Sequence, residues 1–312
     1  MYALNHNQQL KQHERFMDTD DEPLIMMTPI KGYGTMPLVS LEEAVKPLIP
    51  FVSEIEQMVY VVKERCQKPP ADQLSVDESA AIMLYTLEWK PKEESVYYIL
   101  NKTLRNENRQ SLKPWFLYLK LFVAALSRLP STQRTIYRGI KIDMRYNDKY
   151  RKGASLIWWG FSSCTSSMDV LENEAFLGSS GSRILFAIEC QSGKDIREHS
   201  YVRNENEILL PAARELKVKA ILQQPGGLSL IQLKEIQPKY PLLESFSTIN
   251  QVVQSSPLNP SPDQFKTQKQ PKSSNPMIIQ PAQLQQGKIQ TLSHVFRLTL
   301  KNLNEISPIE MP

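Results

Sequence analysis

The pattern of apolar residues changes at Pro130, and this change constrains the fold more than any other feature of the chain. Before it, apolar residues recur at helical spacing, most clearly from Trp115 to Leu126. Two Ser-x-x-Glu sequences, Ser40–Glu43 and Ser75–Glu78, have the pattern of helix capping boxes. Helices are predicted over about 40–62, with interruption at Pro47 and Pro50, and over about 75–89, 93–105 and 114–126.

After Pro130 the chain consists of short runs that are rich in β-branched and aromatic residues. Strands are predicted at 135–140, 154–161, 183–190, 207–210, 215–223 and 229–235. Helices that are followed by a series of strands predict an α+β fold, in which an N-terminal helical subdomain packs on a β core.

These patterns divide the chain into three parts. Residues 1–38 begin with a polar stretch and are expected to form a loosely ordered arm. Residues 39–240 are expected to form the folded domain, with a helical part over 39–130 and a β core with the functional residues over 131–240. Residues 241–312 are expected to be a mostly disordered tail, because most of it is rich in Pro, Gln and Ser. Within it, 289–303 has enough apolar residues for a short docking helix, although a marginal tail segment is the favoured interpretation.

Composition argues against several classes of protein. The net charge of +4, from 37 basic and 33 acidic residues, is too small and dispersed to indicate nucleic-acid binding. Three cysteines (Cys66, Cys164 and Cys190) lack metal-ligand spacing, and their odd number argues against a complete disulfide framework while leaving one pair open. No apolar run approaches the ~18 residues of a membrane span, and the N-terminus lacks the apolar core of a signal peptide. A cytoplasmic protein without a membrane span, a nucleic-acid partner or a bound metal is the default expectation.

Arg138 follows a predicted strand and precedes Gly139. A guanidinium makes forked hydrogen bonds to phosphate oxygens and stays charged at physiological pH. A glycine beside it lets a ligand approach the backbone closely. Taken alone, a Tyr-Arg-Gly triplet is weak, and an ordinary surface arginine is the favoured interpretation.

Two further segments add hydroxyls and carboxylates. A cluster that includes Ser162, Ser163 and Thr165 follows the predicted Trp-Trp-Gly-Phe strand, and its hydroxyls are able to orient a carboxylate. Glu205 and Glu207 are separated by one residue and precede the apolar run Ile-Leu-Leu-Pro. In an extended segment, side chains two residues apart point the same way. Two carboxylates that face one cleft repel each other, an arrangement often retained for catalysis or cation binding. Because all three segments lie in or beside β-prone stretches, we expect them on the strands of one sheet.

Together and in this order, the three segments resemble the arginine-specific mono-ADP-ribosyltransferases, the group with an Arg–Ser–Glu motif. The family's strand-terminal Arg is matched by Tyr137-Arg-Gly139, and its Phe-Ser-Ser-Thr-Ser segment is resembled by Phe161-Ser-Ser-Cys-Thr165. Its Glu-x-Glu strand that ends in Leu-Pro is matched by Glu205–Pro211. The stretches 79–86 and 100–105 resemble the family's N-terminal helices, so the resemblance covers roughly residues 40–236. It implies a split mixed or antiparallel β core of ADP-ribosyltransferase type, with NAD+ as substrate.

The resemblance implies a role for each residue on the NAD+ side of the site. Arg138 would hold the phosphate and nicotinamide-ribose end of NAD+, and Gly139 would offer its backbone to the nicotinamide amide. Ser163 would position the catalytic Glu207, while Ser162 would help to shape the pocket. Phe176, in the loop after the serines, is a candidate to stack on nicotinamide, with an ordinary core phenylalanine as an equally favoured interpretation.

The resemblance further implies that Glu207 bonds the ribose 2′-hydroxyl of NAD+ and that, on the acceptor side, Glu205 engages the incoming guanidinium. Cys164 departs from the family's Ser-Thr-Ser sequence; it is interpreted as a buried inert thiol, with sensitivity to oxidation as the alternative. Many relatives carry a secretion signal or a membrane anchor, so the resemblance leaves the compartment open.

The sequence therefore predicts an NAD+-dependent protein-arginine mono-ADP-ribosyltransferase that releases nicotinamide. Two alternatives stay open: an NAD glycohydrolase, in which water replaces arginine, and an inactive NAD- or protein-binding module of the same fold. The tail is a further candidate for a partner-docking arm. The acceptor protein and the oligomeric state are not specified by the sequence.

Overall fold

The computed structural model describes residues 22–23, 25–141, 149–168, 171, 177 and 180–244. Within these ranges helices precede strands, which confirms the α+β prediction. The helices are α1 (Leu41–Val45), α2 (Ile55–Arg65), α3 (Val76–Thr86), α4 (Val96–Leu104) and α5 (Phe116–Arg128). The strands are β1 (Ser131–Ile140), β2 (Ser155–Trp158), β3 (Ser162–Thr165), β4 (Arg183–Asp195), β5 (Glu207–Leu210), β6 (Arg214–Gln223) and β7 (Leu228–Ile236).

Helix α3 begins with the capping box that its sequence predicts. The Ser75 hydroxyl accepts a hydrogen bond from the Glu78 backbone N–H at 3.2 Å, and the Glu78 carboxylate accepts one from the Ser75 N–H at 2.8 Å. The helix ends at Thr86 and not near Trp89 as predicted. The Trp89 N–H donates to the Ser95 hydroxyl at 3.0 Å and so leaves the helical hydrogen-bond ladder.

The strands form a mixed sheet in the order β1-β3-β5-β4-β7-β6-β2, with an additional pairing of β1 and β4. The pair β4–β7 is parallel and the other pairs are antiparallel. The long strand β4 pairs with β1 and β7 over most of its length, while its end at Lys194 and Asp195 pairs with β5. Strands β3 and β5 therefore form a short unit that is joined to both β1 and the end of β4.

Among the described residues this arrangement produces two large apolar cores and a small third cluster of Leu171, Leu177 and Leu185. The first is mainly helical, and it reaches the β core through Trp159, Phe161 and Leu209, which are all at most 1% exposed. The second lies within the β core and includes Trp158 and Phe186, whose rings meet edge-on with centroids 5.4 Å apart. The segment from Trp158 to Phe161, which leads into β3, thus has contacts in both cores.

The described part of the expected N-terminal arm is anchored and not loose. Ile30 and Tyr33 are fully buried in the first core. Ile30 pairs with Leu243, its N–H donating to the Leu242 carbonyl at 2.8 Å. Glu244 accepts hydrogen bonds from the N–H groups of Gly32 and Gly34 at 2.8 and 3.0 Å. Residues just after β7 therefore hold this segment, while the expected helix over 289–303 lies outside the described residues.

Candidate active site

Three strands bring the three sequence motifs together. Arg138 lies on β1, Ser163 on β3 and Glu207 on β5. Tyr137 of β1 pairs with Thr165 of β3, and Thr165 pairs in turn with Glu207 of β5. The motifs are separated by tens of residues in sequence, yet they meet across two strand pairings, as the sequence analysis expects.

Arg138 is fully buried. One of its terminal nitrogens, Nη1, donates to the carbonyl of Ser163 at 2.6 Å, and its guanidinium carbon lies 6.0 Å from the centroid of the Trp158 ring. A hydrogen bond from a charged donor is about twice as strong as a neutral one. The guanidinium therefore ties β1 to the serine strand, in addition to placing a positive charge beneath the site.

Glu207 is fully buried at the start of β5. Its carboxylate oxygen Oε2 accepts a hydrogen bond from the hydroxyl of Ser200 at 3.2 Å. Its carbonyl accepts one from the Ile196 N–H at 3.2 Å, which fixes the backbone at the same residue. Sequence reasoning did not single out Ser200, because the surrounding Glu-His-Ser-Tyr sequence belongs to no recognisable motif.

The backbone around Glu205 differs from the expected extended strand. Glu205 lies in a 3-10 turn (Arg203–Glu205), and Asn206 adopts a left-handed conformation with φ of 48°. The expectation of an extended backbone from Glu205 to Glu207 is therefore wrong, and strand alternation does not relate their side chains. The Thr165 hydroxyl donates to the Glu205 carbonyl at 3.1 Å, and the Ser166 N–H donates to the Asn206 carbonyl at 3.2 Å. Both carboxylate residues are nevertheless buried, with Glu205 only 2% exposed.

The two serines of β3 face opposite sides of the strand. Ser163 pairs with Leu209 and therefore shares a face with Glu207, whereas Ser162 pairs with Leu210 on the other face. Both serines are 1% exposed, and neither hydroxyl has a hydrogen-bond partner in the part of the chain that the structure describes. The orientation of Glu207 by the Ser163 hydroxyl stays a prediction, since that hydrogen bond is not formed here.

Gly139 is covered by Leu177. A Cβ atom added at Gly139 would lie 3.0 Å from the Leu177 Cβ and 3.1 Å from its Cδ1, which is closer than side chains normally approach. The absence of a side chain at Gly139 is therefore what allows Leu177 to pack on β1. Phe176, the candidate for stacking on nicotinamide, lies outside the described residues.

Cys164 follows Ser163 on β3 and is part of the second core. It is fully buried, and burial raises the pKa of its thiol to about 12, with the nearby Arg138 charge acting in the opposite direction. A thiol with so high a pKa carries almost no thiolate at neutral pH. This environment favours the inert-thiol interpretation over sensitivity to oxidation.

The described residues contain no group of three His, Cys, Asp or Glu side chains that could hold a metal ion. In the same ranges of the chain, no helix is long and apolar enough to cross a membrane.

Residues 48–240 match the family model of the NAD:arginine ADP-ribosyltransferases. This match spans more than half of the chain, and the chain belongs to that family. Its members use NAD+ as a substrate, in agreement with the resemblance drawn from the three motifs.

A curated relative is the Mav protein of Mycobacterium avium (strain 104), which is provisionally named an NAD(+)–arginine ADP-ribosyltransferase. It is 25% identical over 167 residues, which are 53% of this chain and 19% of the relative. The chain thus spans about a fifth of the length of the curated relative that it matches.

Solved structures of ADP-ribosyltransferases are also similar. One is Vis from Vibrio splendidus in complex with agmatine, with 19% identity, coverage of 67% of this chain and 92% of that chain, and a TM-score of 0.44. Another is HopU1 of Pseudomonas syringae pv. Tomato DC3000, with 20% identity, coverage of 63% and 95%, and a TM-score of 0.46.

Proposed function

We propose that this chain transfers ADP-ribose from NAD+ to the guanidino group of an arginine side chain and releases nicotinamide. The observation that carries the proposal is the meeting of Arg138, Ser163 and Glu207 on three neighbouring strands, with Glu205 directly before the third. Family membership supplies NAD+ and arginine as the substrates that this set of groups is suited to bind.

In this reaction the bond between the ribose anomeric carbon and the nicotinamide nitrogen breaks, and its electron pair leaves with nicotinamide. The leaving group departs from a positively charged pyridinium, so it needs little help from an acid. The sugar carbon develops oxocarbenium character, as in glycoside hydrolysis. A carboxylate that is already oriented stabilises this cation without reorganisation. Glu207 is suited to this task because a hydroxyl and its own strand hold it in a dry site.

Glu205 is the group that we assign to the acceptor. A guanidinium nitrogen forms the new bond to the anomeric carbon and loses one proton, which in this proposal the carboxylate of Glu205 accepts. A left-handed turn at Asn206 separates the backbone of Glu205 from the strand of Glu207, and Thr165 and Ser166 fix that turn through hydrogen bonds to the backbone. Two carboxylates on different backbone elements suit a reaction with one cation forming at the donor and a second cation arriving as acceptor.

In this proposal Arg138 does something other than bind a phosphate of NAD+. Because its guanidinium is fully buried and donates to the Ser163 carbonyl, direct contact with a phosphate requires that the guanidinium become accessible. As it stands, the side chain supports the proposal by holding β3 against β1 and by adding positive charge beneath an anionic substrate.

The product tests the proposal. The native chain is incubated with NAD+ with and without agmatine, an arginine analogue, and ADP-ribosyl-agmatine, free ADP-ribose and nicotinamide are measured. Acceptor-dependent ADP-ribosyl-agmatine supports the transferase, and Glu205→Gln is expected to shift the product towards free ADP-ribose. Free ADP-ribose alone from the native chain indicates the glycohydrolase, and NAD+ binding without nicotinamide release indicates the inactive module.

The compartment is a separate proposal. We propose a cytoplasmic location, on the default expectation from the sequence. Fractionation of cells that make the full protein tests it, and recovery of the protein only outside the cell would contradict it.

A further inference from the structure

The segment 196–206, here called the β4–β5 loop, connects the helical part of the domain to the glutamate strand. Successive residues of this loop contact different parts of the domain. His199 and Tyr201 contact the helical part, while Ser200 between them contacts Glu207. The loop thus links side chains of the helical part directly to the hydroxyl that holds the proposed catalytic carboxylate.

His199 is fully buried and has a partner on each ring nitrogen. Its Nδ1 lies 2.9 Å from the Ser79 hydroxyl of α3, and its Nε2 lies 3.1 Å from the carboxylate of Asp72. The arrangement has the components of a catalytic triad. Ser79, however, is only 2% exposed, so substrate has no access to its hydroxyl. Asp72 and Ser79 therefore hold the His199 imidazole between α3 and the turn before it, and these three residues are here called the clamp.

Tyr201 attaches the other side of Ser200 to the helices. Its N–H donates to the Thr86 hydroxyl at 2.8 Å, and the Arg65 guanidinium stacks on its ring at 4.0 Å from the centroid. Ser200 is therefore held from both neighbours along the chain.

The hydrogen bonds of Ser200 define the direction of its hydroxyl. The oxygen accepts from the Val202 N–H at 3.3 Å, and the proton has two acceptors at 3.2 Å, namely the Glu207 carboxylate and the Val202 carbonyl. A hydroxyl has a single proton to donate, and a charged acceptor binds it more strongly than a carbonyl does. The geometry thus directs the proton towards Oε2 of Glu207.

We propose that Ser200 is a positioning residue for Glu207, and that the clamp formed by Asp72, His199 and Ser79 keeps Ser200 in place. This inference rests on the proposed function, since it concerns the orientation of the same catalytic carboxylate. The helical part then contributes to catalysis, because the clamp sets the direction of Glu207 from outside the β core.

Ser200→Ala tests the positioning role of Ser200. We expect kcat for acceptor-dependent nicotinamide release to fall roughly 10- to 100-fold, as for the loss of one hydrogen bond to a charged group, with the KM for NAD+ unchanged. Ser95→Ala is a matched control. The buried Ser95 hydroxyl likewise accepts from a backbone N–H and faces the carbonyl of the same residue, Trp89, at 3.0 and 3.2 Å. This control is expected to lower stability and to leave kcat at the native value.

Asp72→Asn tests the clamp without disturbing the backbone. Asp72 has φ of 55°, and asparagine tolerates this left-handed conformation as well as aspartate does. We expect a decrease in kcat of roughly 2- to 10-fold, because a neutral amide replaces a charged acceptor of His199. In the Ser200→Ala background the same substitution is expected to have no further effect, since the clamp then has no hydroxyl to position.

The outcomes separate this inference from the function on which it rests. A folded native chain that binds NAD+ but releases no nicotinamide overturns both. An active native chain with a Ser200→Ala variant of native kcat overturns the positioning role alone. Full additivity of Asp72→Asn and Ser200→Ala overturns the clamp, because the two groups would then act independently.

Discussion

Glu22 and Arg105 form an ion pair that is almost fully buried, with 2.7 Å between the Glu22 carboxylate and Arg105 Nε. The other oxygen of Glu22 accepts the N–H of Trp159 at 2.7 Å. The pair therefore connects the N-terminal segment and the end of α4 to the turn that leads into β3 and its serines. Asn101 of α4 reinforces this connection, because its amide bonds both the N–H and the carbonyl of Phe161 at 2.9 and 3.1 Å.

Glu22→Ala is expected to lower the free energy of unfolding by about 3–5 kcal/mol, the usual cost of removing one member of a buried ion pair. Chemical denaturation measures it. Glu64→Ala is the control, since Glu64 pairs with Lys68 at the surface, with both side chains more than half exposed. That variant should change stability by less than about 0.5 kcal/mol. Equal effects of the two variants would show that the Glu22 pair is not formed.

Gly139→Ala is expected to destabilise the fold by about 1–3 kcal/mol, because the new methyl group overlaps Leu177. Leu177→Ala should then cost less in the Gly139→Ala background than in the native chain, since it removes the Cδ1 and Cγ atoms that lie 3.1 and 3.5 Å from that methyl group and leaves only the Cβ contact at 3.0 Å. A thermodynamic cycle from denaturant unfolding of the four proteins measures this coupling. Additive costs would contradict the contact between Leu177 and Gly139.

The Cys164 thiol is expected to resist alkylation in the folded protein at slightly alkaline pH, and to react once the chain is unfolded. Burial keeps the reagent away from the sulfur, and the pKa of about 12 keeps the thiol protonated and therefore unreactive. Mass spectrometry of alkylated peptides locates the label. Rapid labelling of Cys164 in the native fold would contradict its inert environment.

The same thiol makes stability depend on pH. Its folded-state pKa, about 12, is higher than the ordinary value of 9.0, so the folded chain holds the proton more tightly than the unfolded chain. This contribution to stability is fully present below about pH 9 and is lost as the pH rises towards 12. The melting temperature of the native chain should therefore fall more steeply than that of Cys164→Ala in this range. Parallel curves for the two proteins would contradict the raised pKa.

Local sequence signals predicted much of this fold. The capping box at Ser75 and the strand at 207–210 depend on neighbours within a few residues, and the structure confirms both. The match of the three motifs to strands of one sheet was likewise predictable, since each motif adjoins a β-prone run.

Contacts between distant parts of the chain were not predictable in the same way. Glu22 meets Trp159 across 137 positions, and His199 meets Asp72 across 127. No local pattern marks such pairs. The backbone turn at Glu205 was missed for another reason: Asn206 is a residue type that adopts left-handed backbone readily, and this signal argues against a continuous strand.

In the proposed reaction Glu207 is the carboxylate that stabilises the transition state of nicotinamide release, and Glu207→Gln is its most direct test. With agmatine present, we expect this variant to release nicotinamide at least ~10²–10³-fold more slowly than the native chain. Glu235→Gln is the control, because Glu235 is also a buried strand glutamate but bonds the N–H groups of Gln191 and Ser192 away from the site. Loss of activity in Glu207→Gln alone is the predicted result. A Glu207→Gln variant that releases nicotinamide at the native rate would show that Glu207 does not stabilise this transition state.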